Sequence, residues 1–191
     1  FVVLNWIATE VRLREEAQSR LSSLYSELRD SHELLSGIQR VTESFASAPD
    51  LESTLKAAIV GITQVAGAGG AYVRLEYSGV SIRDSHGLSP ELQQQAEKLL
   101  DEQVTGHLVK LADGNRNWWL LSERVGWAGR QSGVVQAWFS EPVDSRQREA
   151  FSIIAAEFSA AAEAAGARMR DVSTLVEVDR SMRAEGNLGR L

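Results

Sequence analysis

The feature that most constrains this chain is a narrow apolar stripe that steps by threes and fours through Leu21, Leu24, Leu28, Ser31, Leu35, Ile38, Thr42 and Phe45. Most of the intervening residues are Ser, Glu, Arg and Asp. A helix with so thin a seam buries it best against a second such helix, because a two-stranded coiled coil covers only the a and d positions. The rhythm returns at Phe151, Ile154, Phe158, Ala161, Ala165, Arg168, Val172, Leu175, Asp179 and Met182, where the alanines allow close approach. The chain is therefore expected to enter and leave its globular part on long coiled-coil helices. Two copies are expected to pair along a seam of Leu21, Leu24, Leu28, Leu35, Ile38, Phe151, Ile154 and Phe158. Polar interruptions at Ser31, Thr42, Arg168 and Asp179 weaken that seam and are expected to make it switchable between two packings.

Between the helices the pattern is that of an α+β body. Asp50, after Pro49, is placed to cap a helix through LESTLKAAIVGITQVAGAG, whose glycines suit a left-handed stop. AYVRLEY alternates Ala71, Val73, Leu75 and Tyr77 with Tyr72, Arg74 and Glu76, the period of a half-buried strand, and Gly79 turns it into VSIRDS as a hairpin partner. SPELQQQAEKLLDEQV opens with Ser89 as N-cap and Pro90 at the first helical position. WWLLSERV and SGVVQAWFS read as further strands joined by the Gly-rich GWAGRQSG turn. Asp144 and Gln147 form a capping box for the last long helix. Helices and strands are segregated, with hairpins implied, so an antiparallel sheet with helices packed on its faces is expected.

Composition excludes several kinds of chemistry. With no cysteine among 191 residues, disulfides, thiolate metal sites, a Cys nucleophile and a thioether-linked chromophore are ruled out. The three histidines, His32, His86 and His107, form no HxxxH-type pair, so no metal is expected. The net charge is −6 with dispersed Lys and Arg, the opposite of the concentrated basic face that nucleic acid requires. The opening FVVLNWIA is far short of the roughly 20 residues that span a bilayer. It reads equally as the end of a membrane helix lying upstream, followed by inside-positive Arg12, Arg14 and Arg20, or as the start of an amphipathic helix.

Three stretches together resemble a GAF domain, the small-molecule-sensing and dimerising module of bacterial signalling proteins: ASAPDLESTLKAAI, GAGGAYVRLEY and the closing SGVVQAWFSEPVDSRQREAFSIIAAEFSAAAEAA. The resemblance covers residues 34–165. WLLSERVGW lacks a proline that many members carry, and a short stretch between Gly87 and Trp118 implies a reduced ligand-covering segment. Residues 1–33 then read as a signalling helix and 166–191 as a linker helix. The terminal LVEVDRSMRAEGNLGRL aligns without a gap on IQRVTESFASAPDLEST, residues 38–54, as the opening of a second such domain would. The resemblance implies a cytoplasmic sensory and homodimerisation module, with no activity of its own, in a sensor histidine kinase. Its input would be a small-molecule ligand or a membrane helix upstream. The alternative is a ligand-free relay in a diguanylate cyclase, phosphodiesterase or phosphatase.

The resemblance places a ligand pocket between the sheet and segment 85–117, and strand parity gives Arg74, Asp84, His107, Trp119 and Gln136 as its candidate walls. Arg74 is the evident partner for a phosphate. Trp118, Trp119, Trp127 and Trp138 serve a core or interface as readily as a pocket. DSHELLSGI around His32 departs from a kinase phosphoacceptor box after Leu34, so His32 is expected to be a solvated flank. A hydrolytic site pairing Ser85 or Ser89 with His86 or His107 and Asp84 or Asp113 lacks a nucleophile elbow, and adjacent strand residues point to opposite faces. No catalytic residue is expected, and the methionine sulfoxide chemistry of the family, which needs cysteine, is excluded.

Overall fold

The structure, a computed structural model, describes residues 2–77, 80–101, 108–113, 116–127 and 130–188. It divides into two compact units, Phe1–Gly37 and Ile38–Leu191. The first unit is helical, the major part of α1 (Val2–Ser47). Its helix is supported on the surface by i,i+4 pairs such as Arg12–Glu16 and Arg29–Glu33. Residues 10–33 are exposed throughout, and the seam leucines Leu21, Leu24, Leu28 and Leu35 are 58%, 63%, 67% and 63% exposed.

The second unit contains the last turns of α1, then α2 (Leu51–Gln64), β1 (Gly70–Tyr77), β2 (Val80–His86), α3 (Pro90–Asp101), β3 (Val109–Asp113), β4 (Arg116–Trp127), β5 (Arg130–Phe139) and α4 (Ser145–Leu188). Five strands form one antiparallel sheet in the order β2-β1-β5-β4-β3. Local chemistry sets the helix starts. The Asp50 carboxylate accepts from the Ser53 N–H at 2.8 Å, which holds its pKa below the usual value and caps α2. At α4 the Gln147 N–H donates to Asp144 Oδ1 at 2.7 Å and the Asp144 N–H to Gln147 Oε1 at 3.2 Å, a reciprocal capping box.

Both faces of the sheet are covered. On one, α2 and α4 pack together and over the strands, and Ala71, Val73, Leu75, Leu121, Val125, Val135 and Ala137 meet Leu51, Leu55, Ala58 and Ile62 in a continuous core. The end of α1 joins this layer: Phe45 and Phe158 place their ring centroids 6.1 Å apart at a 39° tilt. A Cβ on Gly61 would lie 2.9 Å from Val41 Cγ1, so the small residue is what lets α1 and α2 approach. On the other face α3 covers Tyr72, Trp118, Leu120 and Trp138 with Leu92 and Ala96.

Several expectations need correcting here. Phe151, Ile154 and Phe158 are 1%, 1% and 0% exposed and fill the chain's own core, so they are not a seam open to a partner. Their three-and-four spacing is what any helix needs to lie on a sheet and a neighbouring helix. The same burial accounts for the apolar length of Ser145–Met169, the segment long and apolar enough to cross a membrane among the described residues. Arg168 does not interrupt a seam; its guanidinium donates to the Ala48 carbonyl at 3.1 Å. The Thr42 hydroxyl donates to the Ile38 carbonyl at 3.2 Å within α1. GWAGRQSG is mostly strand, because β4 and β5 pair down to Trp127 and Arg130, and VKLAD, with no expected role, forms the edge strand β3. The side chains of residues 2–9, of Asp179, and of the terminal segment aligned on 38–54 lie outside the described residues.

Gly87 follows β2 at φ +70, and a Cβ there would lie 2.2 Å from the Gly69 carbonyl oxygen. A left-handed backbone and a backbone clash act together, so Gly87→Ala is expected to cost about 2–3 kcal/mol in urea denaturation. A loss below about 0.5 kcal/mol would show that this turn relaxes freely.

Candidate functional site

Strand pairing decides which expected residues can share a site. Gln136 pairs with Tyr72 on one side and Ser122 on the other, and Trp138 pairs with Leu120 in the next row. Directly opposed residues share a face, so Tyr72, Gln136, Ser122, Trp138, Leu120 and Trp118 all point toward α3. Arg74, opposite Val134, lies on this face as well. Asp84 pairs with Val73 and Trp119 with Phe139, which sends both to the α2/α4 face. Of the five candidate walls, Arg74 and Gln136 are thus brought to one face, Asp84 and Trp119 are not, and His107 lies outside the described residues. Trp119 instead carries the Lys110 ammonium 5.5 Å from its ring centroid.

The layer under α3 has an unusual polar content. Gln136 is 0% exposed; its amide N–H donates to the Ala96 carbonyl at 3.4 Å, while its Oε1 has no partner. Ser122 Oγ, Trp118 Nε1, Trp138 Nε1 and Gln95 Oε1 are likewise buried without a hydrogen-bond partner. Gln95 belongs to the helical face of Leu92 and Leu99, three residues after one and four before the other. Among the described residues, every buried side-chain polar atom without a partner lies in this layer. The α2/α4 core contains none of them, and its buried Thr54 hydroxyl donates to the Asp50 carbonyl at 2.7 Å. An orphaned buried polar atom costs about 1–3 kcal/mol, so each of these calls for a partner, which an ordered water or another molecule would supply.

Beside the layer, between α3 and the β1–β2 edge, lies an open cleft of about 410 Å³ lined by Tyr72, Arg83, Asp84, Ser85, Pro90, Gln93, Gln94 and Glu97. Tyr72 is both a wall of this cleft and the cross-strand neighbour of Gln136, which links the cleft to the buried polar row. Its hydroxyl donates to Glu97 Oε1 at 3.5 Å, and burial, reinforced by the Glu97 charge, pushes its pKa up. Glu97 also pairs with Arg83 at the mouth. Both partners are substantially exposed, so the pair adds little stability. Arg74 is engaged as well: Nη2 meets Glu76 at 2.5 Å and Nε donates to Ser81 Oγ at 3.2 Å.

A hydrolytic arrangement is not assembled around the serines. Ser89 Oγ accepts from the Leu92 N–H at 3.3 Å as the cap of α3, and Ser85 and His86 are neighbours on one strand that face opposite sides. Among the described residues no three His, Asp or Glu side chains converge as metal ligands. The residues missed in the sequence, Ser122 and Tyr72, carry a readable signal: each follows from the parity of Gln136 once the pairing register is known. Ser122→Ala should raise the stability of the unliganded protein by about 1 kcal/mol in urea denaturation, since a methyl group needs no partner. A loss of similar size would mean that the hydroxyl is bonded in solution.

No protein-family model matches the sequence, nor does any curated protein. Solved structures do. The GAF domain of a protein described as a sensor histidine kinase from Pseudomonas syringae pv. tomato superposes with a TM-score of 0.54 at 17% identity, covering 80% of this chain and 97% of that one. The GAF domain of a phosphoenolpyruvate-protein phosphotransferase from Coxiella burnetii gives 0.52 at 20% identity, covering 74% of this chain and 98% of that one. With its five-stranded antiparallel sheet between a helical pair and α3, this chain has the fold of these GAF domains.

Proposed function

We propose that this chain is a cytoplasmic sensory and dimerisation module of a bacterial signalling protein, with a sensor histidine kinase as the parent, and that it performs no catalysis itself. The observation that carries the reading is the concentration of unpartnered buried polar atoms beneath α3. A small molecule bonded there would hold α3 against the sheet. The exposed leucine stripe on α1 supports the second half of the reading, because four large apolar side chains at coiled-coil spacing are best covered by the same stripe of a second copy. Input at either place would then bias how the paired helices pack. The kinase parentage is supported by fold kinship with the Pseudomonas domain alone.

Native mass spectrometry of the purified chain tests the reading. A dimer carrying extra mass that is lost on denaturation is the expected result. A dimer without extra mass, combined with a high-resolution map showing only water beneath α3, would replace the sensor by a ligand-free relay. A monomer at tens of micromolar would overturn the dimerisation half.

A further inference from the structure

The exposed stripe of α1 carries more than apolar surface, and this inference rests on reading that stripe as the dimer seam. We propose that two copies close along it parallel and in register, with His32 of each copy opposite Glu27 of the other, so that a fall in pH through the histidine range tightens the pair. Leu21, Leu28 and Leu35 recur every seven residues, as do Leu24 and Ser31. The step of three from Leu21 to Leu24 makes the first set a positions and the second d positions. In a parallel, in-register pair each position meets its own copy. The four exposed leucines then cover one another, and Ser31 meets Ser31, where one hydroxyl can donate to the other. Antiparallel helices set a against d instead. The two antiparallel alignments that keep the stripe in overlap put Ser31 against Leu21 or against Leu28, and the first also brings Glu27 onto Glu27. A polar residue within a seam selects the register that gives it a polar partner.

The flanking charges agree with that register. In a parallel pair a g residue faces the e residue five positions further along the other copy. Glu27 then faces His32, and Arg20 faces Tyr25, over whose ring its guanidinium can lie. On its own helix Glu27 has Leu24 and Asp30 three positions away and Ser23 and Ser31 four away, and its carboxylate accepts from the Ser23 hydroxyl at 3.4 Å. His32 has Arg29 and Leu35 at three positions and Leu28 and Ser36 at four. Neither finds an opposite charge at helical spacing. The acidic residues Glu16 and Glu33, which point away from the seam, are matched within the helix by Arg12 and Arg29. The charged groups facing His32 in the pair are thus Glu27 of the other copy and Arg29 of its own helix, whose guanidinium is held by Glu33 at 3.0 Å. A histidine that gains a carboxylate partner holds its proton more tightly. Its contribution to association is therefore full below the ordinary histidine value of about 6.5 and is lost as pH rises through that range.

Two measurements on the intact chain test this. The chain has no cysteine, so Leu21→Cys and Leu35→Cys each place a single thiol at an exposed seam position. Under mild oxidation each variant alone is expected to give a disulfide-linked dimer. A mixture of the two is expected to give no mixed 21–35 product, since those positions lie about 21 Å apart along parallel helices. A prevailing mixed product, or no disulfide at either position in a chain that sediments as a dimer, would overturn the parallel register and leave dimerisation standing. The dimer Kd is then read by sedimentation equilibrium at low salt near pH 6 and near pH 8. It is expected to be about fourfold to tenfold lower near pH 6, because two symmetry-related pairs act together. In His32→Gln and in Glu27→Gln the ratio is expected to fall below about twofold. His86, His107 and the general loss of negative charge are common to all three proteins, so the difference between them isolates the pair. An equal pH response in the parent and both variants would overturn the pairing of His32 with Glu27. A parent chain that stays monomeric at tens of micromolar would remove the second copy as occupant of the stripe, and with it the dimerisation half of the proposed function.

Discussion

Replacing Leu24 and Leu28 together by Lys is expected to leave the chain folded and monomeric. Both side chains are exposed, at 63% and 67%, so the protomer loses no packing by the change, and its own unfolding free energy in urea should stay within about 0.5 kcal/mol of the parent. In the proposed dimer the same two positions recur on both copies. Removing four buried leucines at about 1.5 kcal/mol or more each costs about 6 kcal/mol, roughly four orders of magnitude in dimer Kd. Opposed lysines would add repulsion at low salt. Sedimentation velocity across micromolar concentrations reads the outcome directly. A double variant that remains dimeric at low micromolar concentration would show that the stripe is not the seam.

Phe158→Ala is expected to do the reverse. Its ring is fully buried against Phe45 in the core shared by α1, α2 and α4. Truncation there removes a large apolar surface and leaves a cavity, at a cost of about 3–5 kcal/mol in unfolding free energy. Against a total stability of about 5–15 kcal/mol, that is a large fraction. If Phe158 belonged instead to a dimer seam, the urea midpoint of the isolated protomer would hardly move while the dimer dissociated. The two substitutions together therefore separate the helical face that meets the chain's own core from the exposed face proposed to pair with a second copy.

The contrast shows why the seam expected at Phe151, Ile154 and Phe158 was misread in the sequence. Steps of three and four residues say that a helix has an apolar face, which holds for α1 and α4 alike. What that face meets depends on distant residues. In α4 it meets α2 and the sheet, whereas Leu21, Leu24, Leu28 and Leu35 on α1 are exposed. Capping was readable because it is local: Asp50 with Ser53, and Asp144 with Gln147, need only a few residues and a hydrogen bond. The edge strand β3 escaped notice because five residues with a single alternation give too little period to stand out.

The candidate site follows the same division. Alternation along AYVRLEY and SGVVQAWFS assigns Tyr72 with Arg74, and Gln136 with Trp138, to common faces. It cannot say which face of one strand matches which face of the next, and a register shifted by one residue would have joined Trp119 to Gln136 as expected. By itself, then, the sequence determined most of the element types, two helix caps, the absence of cysteine chemistry and the presence of an unusually thin apolar stripe. The tertiary structure alone decided that Asp84 and Trp119 turn away from Gln136, that Arg74 is spent on Glu76, and that the unpartnered polar atoms gather beneath α3. The reason is physical: propensity and capping act over a few residues, whereas register, burial and hydrogen-bond satisfaction are set by partners dozens of positions away.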